Sequence, residues 1–233
     1  RRYDVAVIDE CQMIADPQRG YAWTRAVLGI LAPEVHLCAA PEAKQLLVRL
    51  IHSCGDSCEI VEHQRTTPLI CMPRTVDYQR VQPGDALITF SKIGVLSVAE
   101  DRRQSGKEPA IIYGALPYST RRKQMEGFLA GKMEYIVSTD AIGMGLNLPI
   151  RRIIFMETEK FDGVERRELK PEEIRQIAGR AGRFGMYNKG YVGATQNLET
   201  IRSGLEAAIA PLSYAVVGFS ELVLQVDFDL LEV

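Results

Sequence analysis

Residues 176–183 read QIAGRAGR, so one amide and two guanidinium groups recur at a regular spacing. The preceding Pro-Glu-Glu is typical of a helix start and predicts a helix over residues 172–183. Such a helix would place Gln176, Arg180 and Arg183 on one face. The two glycines between them cost about 1 kcal/mol each in a helix, which indicates close approach of another backbone or a phosphate. Guanidinium forks beside an amide suit the charge that develops on a transferring γ-phosphoryl group.

A second candidate site follows the apolar residues 3–8, where the sequence continues Asp9-Glu10-Cys11-Gln12. Carboxylates just past the carboxyl end of a parallel strand lie where α/β sheets bind ligands. An aspartate there can hold Mg²⁺ through water, and a glutamate can orient or deprotonate an attacking water. By itself such a pair is more often a strand end exposed to solvent or a helix cap. Its combination with the glutamine and arginines of residues 176–183 favours a phosphate-processing site.

The elements that must position these groups alternate between strand and helix patterns, which predicts an α/β fold with parallel sheets. Strands are predicted at residues 3–8, 35–39, 59–61, 86–90, 110–113, 135–138, 153–156 and 190–194. Helices are predicted at residues 22–31, 41–52, 92–104, 119–129, 172–183 and 198–209. The first three strands are too few for a complete sheet, whereas the five later strands can form one.

A proline-rich stretch without helical periodicity predicts a boundary between two domains. Asp162-Gly163, inside a charged segment, predicts a β-hairpin. The resulting domain division is 1–65, a linker at 66–83, a second domain at 84–210 with the hairpin at 157–170, and the start of a helical accessory region at 211–233.

Composition limits the possible function classes. The 233 residues are 46% hydrophobic and 25% charged, with a formal net charge of −2, as in ordinary soluble globular proteins. No apolar run of about 18 residues occurs, so no membrane span or membrane partner is predicted. Because the net charge is slightly negative, contact with nucleic acid must come from a local basic patch. The best local candidate, Arg121-Arg122-Lys123, is more typical of a solvated helix surface.

The five cysteines favour reduced thiols and an intracellular location, because their odd number forms no disulfide framework. Four residues resemble a metal cluster, but their spacing matches no standard zinc pattern, so no zinc is predicted. They are His52, Cys54, Cys58 and His63.

Five segments together resemble the ordered motifs of superfamily 2 DExH-type helicases. Residues 9–12 (DECQ) resemble motif II, and residues 176–183 resemble motif VI. The other three are residues 37–41 (LCAAP) at the place of motif III, 88–92 (ITFSK) at motif IV and 138–149 (STDAIGMGLNLP) at motif V. The glutamine at position 12 makes the chain most similar to the mitochondrial degradosome (Suv-three-type) RNA helicases and their bacterial relatives. Ala39-Ala40-Pro41 departs from the Ser-Ala-Thr of many members, so local sequence does not support coupling of hydrolysis to unwinding.

The resemblance implies a fold: the second half of one RecA-like domain, followed by a complete second RecA-like domain. It also implies ATP and Mg²⁺ as cofactors, with Asp9 serving Mg²⁺ through water and Glu10 as the catalytic carboxylate. Gln176 would orient the attacking water or contact the γ-phosphate. Arg180 and Arg183 would be arginine fingers. Two glycines would lie near the nucleotide, Gly143 and Gly145.

RNA is the implied partner, with backbone contacts expected at Ser91, Gly114 and Thr139. The predicted hairpin is either a wedge that separates strands or a solvated loop. The implied function is an ATP-dependent RNA helicase in RNA turnover, with an exoribonuclease as a possible partner. It would lie in the mitochondrial matrix of a eukaryote or the cytoplasm of a bacterium. A DNA helicase or translocase, and a non-catalytic scaffold for a ribonuclease, remain alternatives.

No segment matches the phosphate-binding pattern G-x-x-x-x-G-K-[ST]. Residues 127–133 come nearest, but they are one residue too short, and Met133 replaces the Mg²⁺-binding hydroxyl. In the family that loop precedes motif II, so this chain is expected to be a fragment that binds ATP weakly or not at all by itself.

Overall fold

The computed structural model describes residues 3–143, 147–182 and 185–218. The chain divides into two compact units. The first comprises residues 1–62 and 209–233, and the second comprises residues 63–208.

The first unit is built on two short parallel strands, β1 (Val5–Ile8) and β2 (Glu34–Leu37). Helices α1 (Gly20–Gly29) and α2 (Lys44–Ser53) connect and follow them. Its buried core includes Cys11, Ile14 and Leu47. One face of the sheet remains open, since Val5 is 51% exposed and Val7 is 65% exposed.

The last described segment, residues 209–218, also belongs to the first unit. Leu212 and Ala215 pack against its core. The amide of Val216 donates to the carbonyl of Ile14 at 2.9 Å, and Thr24 donates its hydroxyl to the carbonyl of Val216 at 2.6 Å. These residues form no helix, although the sequence pattern predicted the start of a helical region at residue 211.

The second unit contains a six-stranded parallel sheet with the order β3-β10-β7-β4-β6-β5. Its strands are β3 (Leu69–Cys71), β4 (Asp85–Ile88), β5 (Ala110–Ile112), β6 (Ile136–Ser138), β7 (Arg152–Phe155) and β10 (Gly190–Ala194). The central strands are buried on both faces because helices cover both sides. The flanking helices are α3 (Lys92–Gln104), α4 (Tyr118–Leu129), α5 (Pro171–Ala178) and α6 (Leu198–Glu206). A separate antiparallel hairpin joins β8 (Glu159–Phe161) and β9 (Arg166–Glu168).

Three predicted elements differ from the structure. Residues 59–61 form no strand, because they pair with no other strand of the described chain. The side chains of Ile60 and Val61 are 50% and 64% exposed. The segment predicted as a linker, residues 66–83, contains β3, an edge strand of the large sheet. The helix predicted to reach residue 183 ends at Ala178.

Candidate functional site

Residues 9–12, called here the DEXQ turn, leave the carboxyl end of β1 with an unusual backbone. Glu10 has φ 55° and ψ 40°, in the left-handed region that a residue with a side chain rarely adopts. Strain of this kind persists where surrounding contacts enforce it, and it is concentrated at functional sites.

Three hydrogen bonds from uncharged donors hold the DEXQ turn. Gln12 donates its amide to the Glu10 carboxylate at 2.5 Å and accepts from the amide of Ala40 at 3.1 Å. Trp23 donates its indole N–H to the carbonyl of Asp9 at 2.8 Å. Gln12 thus connects the motif II carboxylate to the motif III loop, a role that the sequence motifs did not reveal. Asp9 itself is exposed.

Cys11, between the two motif residues, is fully buried and donates its thiol to the carbonyl of Ile8. Burial raises the pKa of the Cys11 thiol to about 12. The thiol therefore stays protonated and contributes packing, not nucleophilic chemistry.

In the second unit, motifs V and VI meet at Gly143. A Cβ at Gly143 would lie 3.4 Å from Cγ of Gln176, an ordinary van der Waals separation, so the glutamine side chain packs against this glycine. Arg180 donates to the Gly143 carbonyl. The Nε2 atom of Gln176 is buried without a hydrogen-bond partner in the described structure. Gly143, Gln176 and Arg180 therefore lie together, although Arg180 follows the end of α5 and does not share a helical face with Gln176 as predicted.

The reason is the early end of α5. Residues 179–182, called here the finger loop, turn away from the helix axis, and Gly182 has φ +71°. A Cβ at Gly190 would lie 2.6 Å from the Ala181 carbonyl oxygen, so the loop packs directly on the start of β10. The glycines thus serve the close backbone approach expected from the sequence, but as a loop. Gly145 and Arg183 lie outside the described residues.

The residues predicted to contact RNA share the carboxyl edge of the large sheet. Ser91 follows β4, Thr139 follows β6 and Gly114 follows β5, and these three strands are neighbours. The Thr139 amide donates to the carbonyl of Ile112 at 3.1 Å. Ser91 also caps α3, because its hydroxyl accepts from the amide of Gly94 at 2.9 Å. Ser91 is exposed, as a backbone contact requires, whereas Thr139 is 8% exposed.

Two cationic side chains lie at the same edge, and the sequence analysis assigned neither of them a contact with RNA. Lys92 lies over the ring of Tyr113, 5.5 Å from its centroid. Arg121 donates to the carbonyl of Gly114 at 2.9 Å, so it supports the loop that carries this predicted contact. Arg121 belongs to the basic run that the sequence pattern favoured as solvated surface, yet its Nε is buried.

Two carboxylates hold the β8–β9 hairpin, one on α5 and one in motif V. Glu173, in the first turn of α5, accepts two bonds of 2.9 Å from Arg167 and pairs with Lys160 at 2.7 Å. Lys160 also pairs with Asp140 of motif V at 3.4 Å. Although burial opposes ionisation, these partners lower the pKa of Glu173 to about 2. The side chains of Phe161 and Val164 near the hairpin tip are 62% and 88% exposed.

The described part of the chain shows neither a metal-binding cluster nor a membrane-spanning helix. The described residues contain no group of three or more histidine, cysteine, aspartate and glutamate side chains placed to hold a metal ion. Among the helices that the structure describes, none is long and apolar enough to cross a membrane.

A parallel six-stranded sheet whose carboxyl-edge loops carry motifs IV and V, with motif VI on α5 and the loop after it, defines a RecA-like helicase domain. Residues 69–185 match the helicase conserved C-terminal domain, and residues 1–63 match the DEXQ-box helicase domain of Suv3. The chain belongs to the helicase family, within its Suv3 branch. The family and the RecA-like fold predicted from the motifs are thereby confirmed.

Curated relatives match most of this chain at similar sequence identities. The chain is 44% identical over 207 residues to the ATP-dependent RNA helicase SUPV3L1, mitochondrial, of Homo sapiens, covering 85% of this chain and 26% of that protein. It is 43% identical over 224 residues to the Drosophila pseudoobscura pseudoobscura SUV3 homolog, covering 91% and 29%. The chain thus spans less than a third of the length of these relatives.

A solved structure of S. cerevisiae Dbp5, bound to Gle1 and IP6, superposes with a TM-score of 0.61. The match covers 99% of this chain and 62% of that one at 14% identity, and it supports the fold alone.

Proposed function

We propose that this chain is the central part of an ATP-dependent RNA helicase that unwinds RNA during RNA turnover. The observation that carries the proposal is the contact of motif V with motif VI: Gln176 and Arg180 both meet Gly143. The curated relatives are named ATP-dependent RNA helicases, which supports the same activity here. The proposed domain division is 1–65, 66–83 and 84–210, with an accessory region from 211.

The residues present fit a nucleotide. Gln176 has a buried amide nitrogen that no described group satisfies, and such an orphaned donor suits a phosphate oxygen or an attacking water. Glu10 is proposed as the catalytic carboxylate, and Arg180 and Arg183 as the groups that stabilise charge on the γ-phosphate. Gly143 and Gly145 are proposed to lie near the nucleotide.

Asp9 fits a Mg²⁺ site reached through water, because its carboxylate is exposed at the carboxyl end of β1. When bound, Mg²⁺ would neutralise charge on the phosphates. Glu10 is held beside Asp9 by Gln12, so its carboxylate stays in place to orient or accept a proton from water.

The carboxyl edge of the large sheet is proposed to bind the RNA backbone through Ser91, Thr139 and the Gly114 loop. Contacts of this kind tolerate any sequence and weaken with salt. The exposed hairpin tip is proposed to separate strands. The mitochondrial matrix is proposed as the compartment of a eukaryotic source, since the relatives' names place those proteins in mitochondria. An exoribonuclease is the proposed partner.

The substrate class is tested with the full-length protein by comparing ATP turnover in the presence of RNA and DNA of equal length. RNA should stimulate turnover, and DNA should stimulate it less. Stimulation by DNA alone would show a DNA translocase. Absence of any turnover or unwinding would leave only a scaffold role.

Arg183→Ala tests the arginine-finger role in the same protein. Loss of a finger should lower RNA-stimulated turnover by about 10³-fold. Arg74→Ala is a suitable control, because Arg74 is an exposed arginine of the same unit. Unchanged turnover in Arg183→Ala would contradict the role. The 233 residues contain no match to the phosphate-binding pattern G-x-x-x-x-G-K-[ST], so the 233-residue chain by itself should show no robust ATP turnover.

A further inference from the structure

The finger loop needs support from outside itself. The last carbonyls of a helix have no intrahelical partner, and here two of the four following residues are glycines. Within the loop, the Gly182 amide donates to the carbonyl of Ile150 at 2.8 Å. That bond fixes one end of the loop and leaves the carbonyls of Gly179 and Ala181 to be satisfied.

Arg65 satisfies both of these carbonyls. Its Nη1 donates to the carbonyl of Gly179 at 2.7 Å, and its Nη2 donates to that of Ala181. Its Nε donates to the carbonyl of Thr67 at 2.6 Å, which fixes the arginine to its own segment. A planar guanidinium presents these donors in a rigid fork, whereas a lysine ammonium cannot reproduce that geometry. The positive charge also lies at the negative end of the α5 dipole.

The segment that carries Arg65 packs along the whole loop. A Cβ at Gly182 would lie 2.9 Å from the methyl group of Thr67. The carbonyl of Pro68 accepts from the amide of Gly190 at 2.8 Å, next to the same turn. Arg65 lies three positions after Glu62, the residue at which the first stretch of the first unit ends. Arg65, Thr67 and Pro68, all of the second unit, therefore contact the finger loop or the first residue of β10 beside it.

We propose that Arg65 is a positioning residue for the finger loop and thereby holds Arg180, the proposed phosphate-contacting arginine of that loop, in one geometry. This inference rests on the proposed function. Arg65 acts through the loop carbonyls and touches no substrate. Displacing a catalytic group by about 1 Å can cost about 10²-fold in rate, so a looser loop should lower kcat.

The full-length protein with Arg65→Lys is compared with Arg175→Lys. Arg175 is a matched control because it also donates to backbone carbonyls near a helix end, those of Leu205 and Ala207. Both changes should lower the melting temperature to a similar extent. Only Arg65→Lys should lower the kcat of RNA-stimulated ATP turnover, by about 10-fold to 100-fold, with KM for ATP changed less than about threefold.

A second readout does not depend on catalysis. Amide hydrogen exchange in peptides spanning residues 176–182 should accelerate in Arg65→Lys and not in Arg175→Lys. In Arg65→Ala, added guanidinium ion should restore part of the turnover, whereas methylammonium should not.

The outcomes separate the two claims. If the unmodified protein has no RNA-stimulated turnover, the proposed function fails, and faster exchange confined to the finger loop still supports Arg65 as its support. If Arg65→Lys and Arg175→Lys match in kcat and in exchange, the positioning role is overturned. Faster exchange with unchanged kcat also overturns it, since Arg65 would then be a structural cap only.

Discussion

The DEXQ turn and the hairpin region hold their functional backbones by different forces. In the DEXQ turn, Gln12 donates to the carboxylate of Glu10, and Trp23 donates to the backbone carbonyl of Asp9. The hairpin instead depends on ion pairs that converge on Glu173. Bonds from uncharged donors change little with salt, whereas ion pairs are weakened by it. The comparison indicates that the contacts holding motif II depend little on salt, whereas removing the single charge of Glu173 should detach the hairpin from α5.

The largest effect is expected from Glu173→Gln, which keeps the shape and removes the charge. With the pKa of Glu173 lowered from 4.5 to about 2, its ionised form stabilises the second unit by about 3 kcal/mol at neutral pH. The opening free energy of the hairpin and α5, measured by amide exchange, should fall by about this amount. Glu172→Gln, an exposed neighbour in the same turn, should change it little.

The same latch has a defined pH dependence. The folded-state pKa is depressed, so the stabilisation is fully present above pH 4.5 and is lost as pH falls through about 2. The difference between the unchanged protein and Glu173→Gln should therefore stay constant from neutral pH to about pH 5 and disappear near pH 2. A difference that already declines between pH 8 and 6 would show that another group controls the hairpin.

A smaller effect is expected from Gln12→Ala in the DEXQ turn. The substitution removes a partly exposed hydrogen bond to a carboxylate, worth about 1.5 kcal/mol, and one from a backbone amide, worth about 0.5–1 kcal/mol. The first unit should therefore be destabilised by about 2 kcal/mol. Trp23 is the single tryptophan of the 233 residues, and its fluorescence in urea reports this unit. Gln18→Ala is the control, because that exposed side chain forms no bond within the described chain.

Salt distinguishes the two regions. The Gln12→Ala difference should be equal at about 0.1 M and about 1 M salt, although the Debye length falls from about 10 Å to about 3 Å. The Glu173→Gln difference should shrink over the same range. Equal salt responses would remove the contrast between the two regions.

The smallest change in stability is expected for Glu10→Gly. Glycine adopts the left-handed backbone freely, which relieves strain of about 1 kcal/mol, but it adds about 0.5–1 kcal/mol of unfolded-state entropy. The substitution removes the hydrogen bond from Gln12 to the Glu10 carboxylate but keeps the bond between Gln12 and Ala40. The urea midpoint of the first unit, measured by Trp23 fluorescence, should therefore shift less than in Gln12→Ala. ATP turnover of the full-length protein should nevertheless be abolished. A greater destabilisation than in Gln12→Ala would show that the backbone of Glu10 is unstrained.

Local patterns predicted most elements of the second unit because its strands are apolar runs separated by clear turn signals. The helix α3 and strand β10 were predicted with the bounds that the structure shows. The motif VI helix was extended too far, because helical spacing was weighed above two glycine breaks. The strand predicted at residues 59–61 failed because a short apolar run does not specify a partner strand.

Motif spacing predicted candidate residues for the chemistry, but it could not predict the contacts that hold them in place. Arg65 lies in a segment without secondary structure, and its acceptors are more than 110 positions away in sequence. Glu173 was visible only as an acidic residue in a first helical turn. Its partners depend on how the hairpin folds back, which is a tertiary property.

The segment at residues 209–218 has a consequence for the order of folding. Leu212 and Ala215 pack in the same core as Ile8 and Cys11. The ribosome must therefore synthesise the whole second unit before the core of the first unit can be completed. Contacts this distant along the chain form slowly, because a long loop must be ordered first. The second unit is contiguous in sequence and can therefore fold before the last segment of the first unit, which begins at residue 209, has been synthesised.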